Sequence, residues 1–289
     1  MMVATALFWS GAFIAGKYSG KDFSPVALTF FRFLFALPFI FAILYRRQPQ
    51  AWLPRRDAWP AIIALGFGGT FLYHILFFSC LRYTTAINAS LIGATNPMIT
   101  TLLAAALFTE KLNSRKVSGI LVSFAGVALI ISNGDWQALA AFSFNIGDIL
   151  MFGAVVSWAF YSVYCRKIMQ KYELTPLMLT AYTFLVCTLA ALPCLLWENS
   201  WTALFSAGSG AWLSILYMAL FASVLGYLFQ LVAIQQVGAP RTNIFINLVP
   251  VFTTIQSVLL LGEQFTLMKL VCAVSIMAGV FITTRPEKI

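Results

Sequence analysis

The paired stretches Ala94-Thr95-Asn96-Pro97-Met98-Ile99-Thr100-Thr101 and Asn247-Leu248-Val249-Pro250-Val251-Phe252-Thr253-Thr254 decide how this chain is read. Neither carries a charge, each holds a proline, and each ends on the same pair of threonines. They sit inside a longer match without a gap, Ala58–Val127 on Ala211–Val280. That match superposes Trp59 on Trp212, Ala86 on Ala239, Glu110 on Glu263, Lys116 on Lys269 and Ala125-Gly126-Val127 on Ala278-Gly279-Val280. So long a repeat in so apolar a sequence points to a duplicated membrane bundle of the transporter kind.

Composition agrees. Hydrophobic residues make up 61% of the chain and charged residues 9%, with a mean hydropathy of +0.89; soluble domains carry about a quarter charged residues. A span needs roughly 17 to 25 apolar residues. Ten such segments can be placed, at about 2–20, 25–45, 59–81, 85–108, 116–133, 146–166, 175–197, 211–234, 242–261 and 267–284. The expected fold is an all-α membrane protein of ten transmembrane helices. Five spans per half is an odd number, so the second half runs through the membrane upside down, as two inverted five-helix repeats over residues 1–133 and 146–284. The match between spans one and two and spans six and seven is weak; Trp9 meets Trp158 and Lys17 meets Arg166.

In a soluble protein a net charge of +9 would suggest a nucleic-acid partner. Here the basic residues fall in alternate loops, and no nucleic acid is expected. One set holds Arg46, Arg47, Arg55, Arg56, Lys111, Arg115, Lys116, Arg166, Lys167, Lys171, Arg241, Arg285 and Lys288; the other holds Lys17, Lys21, Arg82 and Lys269. The positive-inside rule places both termini in the cytoplasm of a multi-pass inner-membrane protein. Met1–Lys17 lacks a basic n-region and a small-residue cleavage site, so it reads as the first span and not as a signal peptide. Cys80, Cys165, Cys187, Cys194 and Cys272 lie in apolar segments and read as packing residues. Nothing in the sequence calls for a metal or a cofactor.

The order of short motifs resembles the EamA-type branch of the drug/metabolite transporter superfamily. The resemblance rests on Phe8-Trp9-Ser10-Gly11-Ala12-Phe13 and Lys17, on Arg32-Phe33, and on Ala86, Pro97, Glu110-Lys111-Leu112 and Gly126 with their copies Ala239, Pro250, Glu263 and Gly279. It covers the whole chain. It implies a carrier with a central cavity, commonly an exporter of amino acids or other small metabolites.

Several residues are candidates for transport. Pro97 and Pro250 lie mid-span and free backbone carbonyls there; they are either packed kinks or cavity-lining breaks. Asn96 and Asn247 lie within a turn of them and are expected to face the cavity, with Asn88 and Asn243 as further polar groups. His74, the sole histidine, stands beside Tyr73 where the repeat has Gly226 and Tyr227; it reads as a hydrogen-bonded packing residue, a cavity residue or a proton relay. Arg32 needs a counter-charge, and Asp148 is the acidic residue nearest in depth. A structural ion pair, a substrate or proton-coupling role, and snorkelling are all open. Trp9, Phe13, Trp158 and Tyr161 either face lipid or turn inward to stack on a planar or cationic metabolite, with Tyr217, Tyr227 and Gln230 as polar partners. Glu110 and Glu263 read as residues orienting helix ends or as gate residues. Gly119, Ser123 and Gly126 let the fifth span approach a neighbour closely.

The function expected from these residues is secondary transport of a small neutral or zwitterionic metabolite, by a monomer or weak dimer in the lipid bilayer, with protons as a candidate coupling ion. No GxxxxGK[ST] loop is present for ATP. An intramembrane enzyme is disfavoured because a single histidine excludes HExxH. A channel-like facilitator is disfavoured because no filter-like loop occurs.

Overall fold

The structure is a computed structural model, and it describes residues 1–108, 112–132, 134–135, 144–199, 201–237 and 245–284. Among the described residues every regular element is helical. We label the long helices α1 (Met2–Ser19), α2 (Pro25–Arg47), α3 (Arg56–Tyr83), α4 (Ala86–Leu107), α5 (Ser114–Ile131), α6 (Ile146–Tyr172), α7 (Pro176–Glu198), α8 (Ser209–Ala233), α9 (Phe245–Leu261) and α10 (Leu267–Thr284).

Eight of these are long and apolar enough to cross a membrane, so the chain is a multi-pass membrane protein. The other two are α1, which carries Lys17 in its last turn, and α9, a shorter apolar helix. Between α7 and α8 lies a short helix, Trp201–Ser206. Glu110 and Asn243 lie outside the described residues.

Local sequence explains where the helices begin. Ser24 accepts a hydrogen bond from the Ala27 amide with Pro25 at the first helical position, and Thr175 accepts one from the Met178 amide with Pro176 in the same place. Proline there gives up an amide that has no partner anyway. Thr85, Asn113 and Asn145 cap α4, α5 and α6 in the same way; each such cap contributes about 1 kcal/mol. Irregularities recur too. A π segment interrupts α3 at Gly66–Phe71 and α8 at Met218–Leu225, places that the sequence match superposes.

Packing follows small residues. Gly119 and Gly279 bring α5 and α10 so close that a Cβ added at Gly279 would lie 2.5 Å from the Gly119 carbonyl oxygen and the Ser123 amide. A Cβ at Gly126 would press on Ile276 and the Cys272 carbonyl, while the Ser123 hydroxyl donates to the Ile276 carbonyl at 3.0 Å. The close approach expected of Gly119, Ser123 and Gly126 is therefore formed with α10. Elsewhere α1 packs on α8 and α9, α6 on α3 and α4, α2 on α8, α7 on α3, and α2 on α7.

Candidate functional site

α1, α2, α3, α6, α7 and α8 enclose an aromatic chamber. Trp9 of α1 donates its indole N–H to the Ala222 carbonyl at 3.0 Å and meets Tyr227 edge-on at 5.8 Å. Trp158 of α6 stacks on Tyr161 at 5.0 Å and contacts Tyr73 at 5.1 Å and Tyr227 at 6.4 Å. Tyr73 stacks on Phe77, which meets Phe13 at 4.9 Å. Phe33 of α2 and Phe184 of α7 touch at 4.6 Å, and each takes a ring edge-on from its own side: Phe33 meets His74, and Phe184 meets Tyr227. Trp9, Tyr73, Trp158, Tyr161 and Tyr227 keep part of their surface accessible although helices surround them, so they line an internal space.

Arg32 sits in the wall of this chamber, 5% exposed. Its Nε donates to the Ser223 hydroxyl at 2.9 Å, and its guanidinium carbon lies 5.5 Å from the Phe33 ring and 6.0 Å from the Phe78 ring. The phenols of Tyr227 and Tyr73, the Cys187 thiol and the Tyr217 phenol lie within electrostatic reach of it. Among the described residues no carboxylate comes within 4.0 Å of it and its Nη groups have no hydrogen-bond partner. The Ser223 bond is worth about 1.5–3 kcal/mol as a bond to a charged group and each ring contact about 0.5–2 kcal/mol. Together they offset part of a desolvation cost of several kcal/mol for a buried ion.

The Arg32–Asp148 ion pair weighed from the sequence is not formed. Asp148 instead accepts a hydrogen bond from the Thr84 hydroxyl. Similar depth does not make two side chains neighbours; these two project from their helices toward different partners.

Asp148 belongs to a second polar group, gathered on the corner between α3 and α4. Lys17 of α1 donates to the Thr84 carbonyl, and Asn145 donates to the Tyr83 carbonyl at 3.0 Å. Glu263, from the segment between α9 and α10, accepts the Ala86 amide at 2.7 Å and the Ile87 amide at 3.1 Å. Those amides open α4 and have no intrahelical partner, and the positive end of the helix dipole favours the carboxylate there. Of the two sequence readings, Glu263 thus orients a helix end, though the end belongs to α4 and not to α9.

The remaining candidates lie at the edge of the chamber or outside it. The ring of His74 bonds through Nδ1 to the Thr70 carbonyl at 2.7 Å, which ties it to its own helix. Asn96 joins α4 to α6, donating to the Val155 carbonyl at 3.4 Å and accepting from the Thr100 hydroxyl at 3.2 Å. Just before Pro97, α4 breaks into a turn at Ala94 and Thr95. Asn247 ends a 3-10 turn, Phe245–Asn247, that packs on α1 and leads into the α-helical part of α9 containing Pro250. Tyr217 donates to the Phe8 carbonyl at 3.2 Å. Sequence reasoning missed Phe184 and Ser223; the only signal for Phe184 was the Thr-Pro that opens α7 as Ser-Pro opens α2. Among the described residues no cluster of histidine, cysteine and acidic side chains could hold a metal ion.

Residues 1–132 and 145–285 match the sequence model of the EamA-like transporter family. The chain is 32% identical over 280 residues to the "uncharacterized transporter YyaM" of Bacillus subtilis, covering 97% of this chain and 91% of that protein. It is 28% identical over 294 residues to the "probable amino-acid metabolite efflux pump" of Salmonella typhimurium, covering 98% and 93%. One crystal structure superposes with a TM-score of 0.64 over 97% of this chain and 94% of that one, at 19% identity, a likeness of fold alone.

Proposed function

From the premise that this chain belongs to the EamA-like transporter family, we propose that it is a secondary carrier. It exports small neutral or zwitterionic metabolites such as amino acids, with the aromatic chamber as the binding site. The carrier has ten spans in two inverted repeats, residues 1–133 and 146–284, that rock about the chamber in alternating access. Both termini lie in the cytoplasm.

The observation that carries this reading is an exchange of packing partners. α1 packs on α8 and α9, and α6, five helices later, packs on α3 and α4; α2 packs on α8 as α7 packs on α3. The α5–α10 seam is built the same way, because Gly126 rests on Cys272 and Ile276 while Gly279 rests on Gly119 and Ser123. Under the sequence match those are one contact seen from both sides, as a two-fold axis between the halves requires. The amino-acid efflux name of the Salmonella relative supports the substrate class.

The test is counterflow in proteoliposomes against a panel of amino acids and aromatic amines. Saturable exchange is expected. A linear, non-saturating flux would replace the carrier with a channel. Orientation is checked by thiol labelling of single cysteines at Gln48, expected inside, and Ser206, expected outside; same-side labelling removes the inverted arrangement, and reversed labelling removes the cytoplasmic placement of the termini.

A further inference from the structure

Among the described residues Arg32 is the one charged side chain in the aromatic chamber, and none of them neutralises it. Intramembrane arginines pair with an acid, a backbone carbonyl or a substrate. Here the guanidinium is held along one edge only, by Ser223 at Nε, with Phe33 and Phe78 beside it. Its Nη groups have no hydrogen-bond partner among the described residues and are not completely buried. That free edge is a planar fork of N–H donors, the geometry that receives a carboxylate through two parallel hydrogen bonds.

We infer that Arg32 is the anchor for the carboxylate of the transported molecule, whose planar apolar body lies against the rings of Trp9, Trp158, Tyr161 and Tyr227. One guanidinium answers one negative charge, so the ligand class is a monocarboxylate and not a phosphate ester. No acidic side chain of the described residues in the chamber answers an ammonium, and recognition runs through the acid end. An amino acid is accepted by its carboxylate, and so is an organic acid without an amine. The inference rests on the chamber being the binding site in the carrier reading, and it revises the ligand class of that reading by removing ligands without a carboxylate and admitting monoanionic acids.

The purified full chain in lipid nanodiscs is tested by equilibrium dialysis with three labelled probes of similar size: phenylacetate, L-phenylalanine and phenethylamine. The first two are expected to bind, and phenethylamine to bind at least tenfold more weakly. Arg32→Gln should weaken both carboxylates at least tenfold and leave phenethylamine unchanged. Arg32→Lys, which keeps the charge and loses the fork, should fall between. Which carboxylate binds better distinguishes a free organic acid from an amino acid as the source. Failure of the wild-type protein to bind either carboxylate overturns the inference, and so does unchanged carboxylate binding in Arg32→Gln, or equal weakening of all three probes. If Arg32→Gln does not fold, Arg32→Lys decides: loss confined to the carboxylates supports the anchor, and unchanged or equal effects on all three overturn it. Saturable counterflow of other solutes without carboxylate binding would sink this inference and keep the carrier; carboxylate binding without saturable counterflow would do the reverse.

Discussion

The C-terminal halves of α1 and α6 start at matched tryptophans and end in different surroundings. After Trp9, Ser10 through Gly16 and then Ser19 are buried. After Trp158, Ala159 is buried and every residue from 160 to 172 is half-buried or exposed. The last turns of α1 lie under the α3–α4 corner, where Lys17, Asn145, Asp148 and Glu263 converge on residues 83–87. The matching turns of α6 present Arg166 and Lys167 to the surroundings. Two helices of one design are thus covered at one end of the bundle and open at the other. On the proposed cycle this asymmetry corresponds to one of two access states.

The largest effect is expected where the halves are joined. In Gly279→Leu the new Cβ meets backbone of α5 that cannot give way; overpacking of this kind costs about 3 kcal/mol. Loss of the folded protein, or a much lowered melting temperature in detergent, is the expected outcome. Gly208→Ala, whose new Cβ meets nothing within 4 Å, is the control without overpacking. Normal melting of Gly279→Leu would mean that the α5–α10 seam is not a rigid contact.

Next come the two tryptophans. Trp9→Ala and Trp158→Ala should each weaken substrate counterflow by on the order of 1 kcal/mol, or several-fold in affinity, through lost ring contacts. Trp9→Ala should cost more, since it also deletes the bond to the Ala222 carbonyl, and Trp9→Phe separates the two contributions. Unchanged counterflow in both alanine variants, with normal expression, would assign the pair to helix packing.

The smallest effects concern the closed corner. Glu263→Ala should lower stability by about 1 kcal/mol through loss of the cap on α4, and Glu263→Gln, which keeps an acceptor, by about 0.3–1 kcal/mol. Hydrogen exchange at the Ala86 and Ile87 amides should quicken in the alanine variant, and a cysteine placed at Tyr83 should label faster. Exchange at those amides equal to that of the unaltered protein would remove Glu263 from the corner.

How far the site was legible differs along the chain. The match of α3, α4 and α5 with α8, α9 and α10 can be read directly because identical residues recur without a gap. The kinship of α2 and α7 is hidden by a shift of register against α1 and α6. Once Ser24-Pro25 is set on Thr175-Pro176, Leu28 falls on Leu179, Thr29 on Thr180 and Phe33 on Phe184. Thr29 and Thr180 then make the same bond, to the Pro25 and Pro176 carbonyls at 2.7 and 2.8 Å. In this register Arg32 falls on Thr183, so the charge of the chamber belongs to one half only. Depth along a helix could be estimated from sequence, which is why Asp148 looked like the partner of Arg32. The direction each side chain takes around its helix could not.

The amino-acid sequence by itself determined that the chain is helical and membrane-embedded, which short residues let helices approach, and which rings and prolines recur in both halves. Apolar composition and spacing carry that information, because hydrocarbon tolerates only backbones bonded within themselves. Tertiary structure alone decided that Trp9, Tyr73, His74, Trp158, Tyr161 and Tyr227 meet around Phe33 and Phe184, that Ser223 and not Asp148 holds Arg32, and that Glu263 caps α4. Each of those contacts joins helices far apart in the chain, and its partner depends on helix rotation and crossing, which packing of the whole bundle sets.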